Sequence, residues 1–191
     1  LSLSLSLSLS QTWLNVCAGD GRYNNLLLKK AGKVIAVDYD KSALSKLWYQ
    51  TPKHLRHNLT IKQFNITHNF PFPDSFFNGV FCTGVLHLFP RKLLLERIFA
   101  EFERVVNKKG RIIFDFATDI KRVYPNGKIH LSYQNEPQYK FDEALEFVKK
   151  YFSQYKIKVM KSTVQDDLTK TPGLGYLFSC RYFLVDIKKA D

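Results

Sequence analysis

Cysteine is scarce in this chain: Cys17, Cys82 and Cys180 are odd in number, far apart and never arranged as Cys-x-x-Cys. That excludes a disulfide framework, offers no zinc site or redox dithiol, and suits a reducing cytoplasm. Long apolar runs are missing as well. None approaches the roughly 18–20 consecutive apolar residues that span a bilayer, and no basic segment leads into an unbroken apolar stretch, so neither membrane insertion nor secretion is expected. Glycine never forms the G-x-G-x-x-G fingerprint of dinucleotide sites, which argues against NAD. The five histidines include a His-x-x-His pair, His54 and His57, but no acid or cysteine accompanies it, so no metal site is expected.

Acidic residues are few: 17 Asp+Glu face 29 Lys+Arg, a net charge of +12. The excess is spread along the chain, with 11 basic against 4 acidic residues up to Leu95 and 18 against 13 beyond, so no tail carries it. Such a surface attracts polyanions and equally serves solubility; it names no ligand by itself.

What is present describes a folded domain. With 45% hydrophobic and 15% aromatic residues the chain is too apolar for disorder, and 191 residues suit one core. Residues 1–10 read LSLSLSLSLS, a low-complexity alternation that is set aside, leaving 11–191 as a single domain.

From Gln11 onward, short apolar runs alternate with amphipathic ones, the pattern of a parallel sheet flanked by helices. Strands are expected at Trp13–Cys17, Val34–Val37, Leu59–Phe64, Phe77–Thr83 and Arg111–Phe116. Helices are expected after the first strand, where Gly32 would cap the C-terminus, at Lys41–Gln50, and from Arg91 to Val106 with a stop at Gly110. A Pro-Asn-Gly turn within Val123–Leu131 suggests a hairpin, and residues 118–140 read as an insertion on the substrate side. A helix over Phe141–Phe152 and closing strands at Tyr155–Met160 and Tyr176–Asp186 complete the chain.

Ligands of doubly wound sheets bind at the carboxyl ends of the strands. Gly19-Asp20-Gly21 follows the first strand, where glycine permits positive φ and close approach of a ligand. Asp38 ends the second strand about 20 residues on, where a carboxylate can accept from both ribose hydroxyls. The pair describes a nucleoside pocket.

These residues carry a family resemblance. WLNVCAGDGRY, Trp13 to Tyr23, and AVDYDKSAL, Ala36 to Leu44, resemble the first two motifs of the class I S-adenosylmethionine-dependent methyltransferases. NITHNFPFPDSFFNGVFCTGVLHLFP, Asn65 to Pro90, looks like the third and fourth motifs of their small-molecule branch, and EFERVVNKKGRIIFDF, Glu101 to Phe116, is similar to the region leading into strand five. The resemblance implies an α/β fold: a doubly wound, mostly parallel seven-stranded Rossmann-like sheet, with an antiparallel last strand and a hairpin inserted after strand five.

It also implies a site. S-adenosyl-L-methionine would lie against Cys17, Gly19, Asp20 and Gly21 with its methionine portion, on Asp38 with its ribose, and beside Tyr39, Asn65 and Ile66 with its adenine; Thr83 would border the methyl group. Leu86, His87, Tyr124 and Tyr133 would line the acceptor, with His87 as general base. Arg122, Lys121 and Lys128 would suit an anionic acceptor. Cys17 stands where the family has its first glycine, and Asn15, Asn65 and Asn78 where it usually has acids, so an added Cβ at Cys17 is expected to crowd the methionine carboxylate. The expected function is in-line methyl transfer to a small-molecule acceptor, with no membrane partner. RNA, cap-like or tRNA, is the alternative acceptor, and a non-catalytic cofactor-binding or partner module is the alternative class.

Overall fold

Both faces of a parallel sheet are covered, so its strands can be apolar throughout rather than alternating. The first strand, β1 (Thr12–Val16), has that character: Trp13 to Val16 are all buried. In the computed structural model, which describes residues 9–131, 136–166 and 175–189, it is followed by α1 (Asn24–Lys30), β2 (Lys33–Asp38), α2 (Lys41–Gln50), β3 (Leu59–Gln63) and β4 (Phe77–Cys82). Then come α3 (Lys92–Val105), β5 (Val106–Val123), α4 (Phe141–Tyr151), β6 (Lys156–Asp166) and β7 (Leu177–Lys188). The sheet order is β3-β2-β1-β4-β5-β7-β6. β1 to β5 pair in parallel, whereas β7 runs antiparallel to both β5 and β6. The order reverses between β1 and β4, which opens a crevice at their carboxyl ends.

Helix signals follow local chemistry. Asp40 caps α2, its Oδ1 accepting from the N–H groups of Ser42 and Ala43. Leu95, Ile98, Phe99, Phe102 and Val105 recur at helical spacing and turn one face of α3 into the core. That core, with α3 and α4 on one side of the sheet, is rich in aromatics such as Phe99, Phe114 and Phe152. A smaller one on the opposite side gathers Trp13, Leu27, Leu47, Phe81 and Leu184.

Several boundaries differ from the sequence expectation. Gly32 does not cap α1 in a left-handed conformation; Ala31 is extended, and glycine is needed at 32 because a Cβ there would collide with the carbonyl oxygen of Leu9. α3 stops at Val105, short of Gly110. Between the pairs Phe77↔Val106 and Gly79↔Arg111 the register shifts, so residues 107–110 form an irregularity of β5 rather than a helix end. β5 continues to Val123 because β7 supplies partners as far as Leu177, across a shift beside Asp119, whose φ is 49°. The expected hairpin is a turn closed by the bridge Val123↔Ile129, and its rising arm is the end of β5 itself. β6 outlasts its apolar stretch by six residues, since its partners on β7 need only backbone groups. Residues 1–8 of the low-complexity segment lie outside the described residues. His54 and His57 lie on the 3-10 helix Lys53–Asn58.

Gly79 in β4 faces Trp13, which is fully buried, and a Cβ there would lie 2.5 Å from the indole ring. Gly79→Ala is therefore expected to destabilise the fold by about 1–3 kcal/mol through overpacking, measured as a lower urea midpoint; an unchanged midpoint would show that Trp13 can shift freely.

Candidate functional site

The loop after β1 is held by its own backbone and by one carboxylate. Ala18 donates its N–H to the Val37 carbonyl at 3.0 Å. The Gly19 N–H donates to Asp38 Oδ2 at 2.8 Å, while the Asp40 N–H donates to Oδ1 at 2.9 Å. Gly19, with φ 54°, leaves open space where a Cβ would be, whereas at Gly21, φ 98°, a Cβ would press to 2.9 Å from Leu47 of α2. The first glycine thus leaves the loop surface open, and the second allows close packing of α2. Cys17 also adopts a left-handed φ, 51°, which explains why glycine suits this position. Behind it, Cys82 is fully buried, and burial first, then the Cys17 thiol beside it, pushes its pKa well above the ordinary value.

A cavity of about 460 Å³ opens beside this loop, lined by Cys17, Asp38, Tyr39, Asn65, Ile66 and Thr83 together with Phe64, Thr67, Gly84, Val85 and Phe89. Six of the nine cofactor residues expected from sequence come together here. Gly19, Asp20 and Gly21 shape the loop without lining the cavity. Asn65 turns its Oδ1 inward, accepting from the Thr67 N–H at 3.0 Å and hydroxyl at 2.9 Å, so its amide NH₂ is the group left for a ligand. The far wall is clamped to α3 by Arg104, which donates to the carbonyls of Phe70 and Phe72 and pairs with Glu101 and Asp74. The Arg104 guanidinium holds the Glu101 carboxyl below its ordinary range.

A second cavity, about 500 Å³, shares Thr83 and Gly84 with the first and is lined further by Arg22, Tyr23, His87, Asp115, Ala117, Val164, Cys180, Tyr182 and Leu184. His87 is half-buried; its Nδ1 is fully enclosed without a hydrogen-bond partner among the described residues, and desolvation lowers its pKa to about 4. Asp115, midway along β5, behaves oppositely. Desolvation raises its carboxyl to about 6, although the Gly84 N–H, donating to Oδ1 at 2.6 Å, and nearby Arg22 both oppose the rise.

The other acceptor residues expected from sequence do not meet here. Leu86 is fully buried in the larger core, because the 3-10 helix Leu86–Leu88 turns it inward. Tyr124 is engaged elsewhere, its hydroxyl 2.9 Å from His130 Nδ1, with the His130 ring stacked on Tyr176. Arg122 pairs with buried Glu136. Tyr133 lies outside the described residues. Missing from the sequence reading were Gly84, Asp115, Tyr182 and Arg22; only Asp115 left a signal, as an acid within the apolar run Arg111–Phe116.

Two of the polar departures, Asn15 and Asn78, sit away from the first cavity, whereas Asn65 lines it. Asn15 is buried and donates to Asn24, which donates in turn to Thr51, both at 3.4 Å. Asn78 Oδ1 accepts from the Thr12 N–H at 2.8 Å, a task a carboxylate would perform equally.

Strand order, a nucleoside-sized cavity beside a strand-end carboxylate, and a second cavity meeting it at one loop define the Rossmann-like methyltransferase class. The methyltransferase-domain family matches residues 14–114, more than half the chain, and the chain belongs to that family, whose cofactor is S-adenosylmethionine. No protein of curated function matches the sequence. Among solved structures, an S-adenosylmethionine-dependent methyltransferase from Methanosarcina mazei aligns over 97% of this chain and 96% of its own at 13% identity, TM-score 0.67. A geranyl diphosphate methyltransferase in complex with S-adenosylmethionine aligns over 97% and 80% at 12% identity, TM-score 0.66. A chain from a methyltransferase-activator complex of Haloferax volcanii aligns over 98% and 86% at 10% identity, TM-score 0.64. At such identities the likeness concerns the fold. Among the described residues no helix is long and apolar enough to cross a membrane.

Two expectations test the site's physics. Cys17→Gly relieves about 1–2 kcal/mol of left-handed strain against roughly 0.5–1 kcal/mol of added chain entropy, so the urea midpoint should rise slightly; a fall would show that the thiol's packing outweighs the strain. For His87, the unfolded imidazole binds a proton near pH 6.5 and the folded one only near 4. Its contribution is thus complete above pH 6.5 and lost as pH falls through that window. Between pH 7 and 4 the native protein should lose about 1–3 kcal/mol more than His87→Asn, read from urea titrations at each pH.

Proposed function

We propose that this S-adenosylmethionine-dependent methyltransferase acts on a small-molecule acceptor bound in the second cavity. The observation that carries this reading is the junction at Thr83–Gly84, where the two cavities meet. Bound in the first cavity, the cofactor supplies an electrophilic methyl group. Asp38 would receive the ribose hydroxyls, because each of its oxygens accepts one backbone N–H and keeps a further lone pair. The Asn65 amide would address the adenine edge, with Tyr39 and Ile66 against the ring. Cys17 and the open backbone at Gly19 would receive the methionine portion.

Holding the acceptor against that junction is the protein's main contribution, since displacement at a sulfonium methyl depends chiefly on orientation. His87 stays neutral at physiological pH and borders the acceptor as an uncharged imidazole, a weaker base than sequence alone suggests. A second reading, an RNA acceptor, is supported by the +12 charge. For it, the competing observation is the size of the second cavity, about 500 Å³, which suits a small-molecule ligand.

Calorimetry with S-adenosylmethionine and S-adenosylhomocysteine checks the cofactor site. Both should bind, and Asp38→Ala should weaken each at least about tenfold, or 1.4 kcal/mol, by removing the ribose acceptor. Binding indifferent to Asp38 would overturn the placement. Binding to the native protein without turnover on any acceptor would favour the non-catalytic module. Tight tRNA binding that discriminates between sequences at fixed, physiological salt would favour the RNA reading.

A further inference from the structure

Carboxylates withdrawn from water are normally paired, and Asp115 is not. Its sole hydrogen bond among the described residues comes from the Gly84 N–H to Oδ1, and it joins no ion pair there. It lines the second cavity beside the junction with the first, while Tyr23 and Tyr182 line the same cavity. Carboxylate oxygens only accept, and aromatic faces attract cations. His87 is neutral, and Arg22, exposed at the rim and 6.0 Å from the centre of the Tyr23 ring, acts on the carboxylate only through space, forming no ion pair among the described residues. From this geometry we propose that the second cavity binds a small molecule bearing a protonated amine, which pairs with Asp115 Oδ2 and packs against Tyr23 and Tyr182.

The inference rests on the second cavity being the acceptor's, and it adds the acceptor's chemical class. A cationic amine supplies the charge that the carboxylate lacks, and its N–H groups match the oxygen left unused by Gly84. An anionic ligand would instead meet a carboxylate. Burial, the Gly84 N–H and Arg22 set the charge of Asp115; the titratable groups that face it are Arg22 and Tyr23 ahead of α1, His87 after β4, Cys82 on β4, and Cys180 and Tyr182 on β7. None of these is a second carboxylate.

The test compares two probes of equal shape, phenethylamine as the cation and 2-phenylethanol as its neutral counterpart, by calorimetry on the full chain with S-adenosylhomocysteine present. Phenethylamine should bind at least tenfold more tightly at pH 7.5. With the Asp115 carboxyl titrating at about 6, its affinity should fall about tenfold by pH 5, while that of the alcohol stays constant. Asp115→Asn, whose amide oxygen can still accept from Gly84, should abolish the preference, and Asp115→Glu should keep it. S-adenosylhomocysteine affinity should stay within twofold in both, because Asp115 does not line the first cavity. Equal affinity for the two probes, or a preference that survives in Asp115→Asn, would overturn the amine assignment. Failure of S-adenosylhomocysteine to bind the native protein would instead overturn the cofactor reading, and the two failures are read from separate titrations.

Discussion

One carboxylate organises the end of the sheet where ligands bind. Asp38 closes β2 and accepts backbone N–H groups from two loops, Gly19 after β1 and Asp40 ahead of α2. Asp40 in turn caps α2, and Leu47 of α2 fills the space that Gly21 leaves by lacking a Cβ. The chain is thereby pinned in a series of left-handed conformations at positions 17, 19 and 21, costly for Cys17 and natural for the glycines. Without the carboxylate, these N–H groups would lose their partners and the floor of the first cavity would lose its shape.

The opposite wall depends on a cation. Arg104 of α3 gathers two carbonyls and two carboxylates around one guanidinium and so holds the segment around Phe70 and Phe72 against the helix. The geometry uses the planar, forked donor set of arginine, which a lysine could not reproduce. Since Asn65, Ile66 and Thr67 lead into that segment, the shape of the first cavity reflects an ion network well outside it.

Between these walls, desolvation acts in opposite senses on two neighbouring groups. It lowers His87 and raises Asp115, so their ordinary order of basicity is reversed, to about 4 for the imidazole and about 6 for the carboxyl. A histidine among leucines after the fourth strand reads as a general base, because sequence reveals residue type and not solvation. Asp115 passes unnoticed in an apolar strand for the same reason. The twelve excess positive charges help little here, since they are spread along the chain whereas both cavities are governed by individual groups.

Composition and periodicity determined the parallel character of the first five strands, the helix faces, and the Gly19–Asp38 pair, because each rests on local spacing or on the burial of contiguous apolar residues. Motif resemblance added five more of the residues that line the first cavity. Only tertiary structure decided the rest. β5 and β6 extend well past their apolar stretches because β7 lies alongside to complete their hydrogen bonds. Gly32 is required by the close approach of the Leu9 carbonyl, not by a helix end. Leu86 turned inward, Tyr124 turned to His130, and Asp115 came to face the second cavity. These outcomes depend on which distant residues share a surface and on how much water each group loses, and neither quantity is local in the chain.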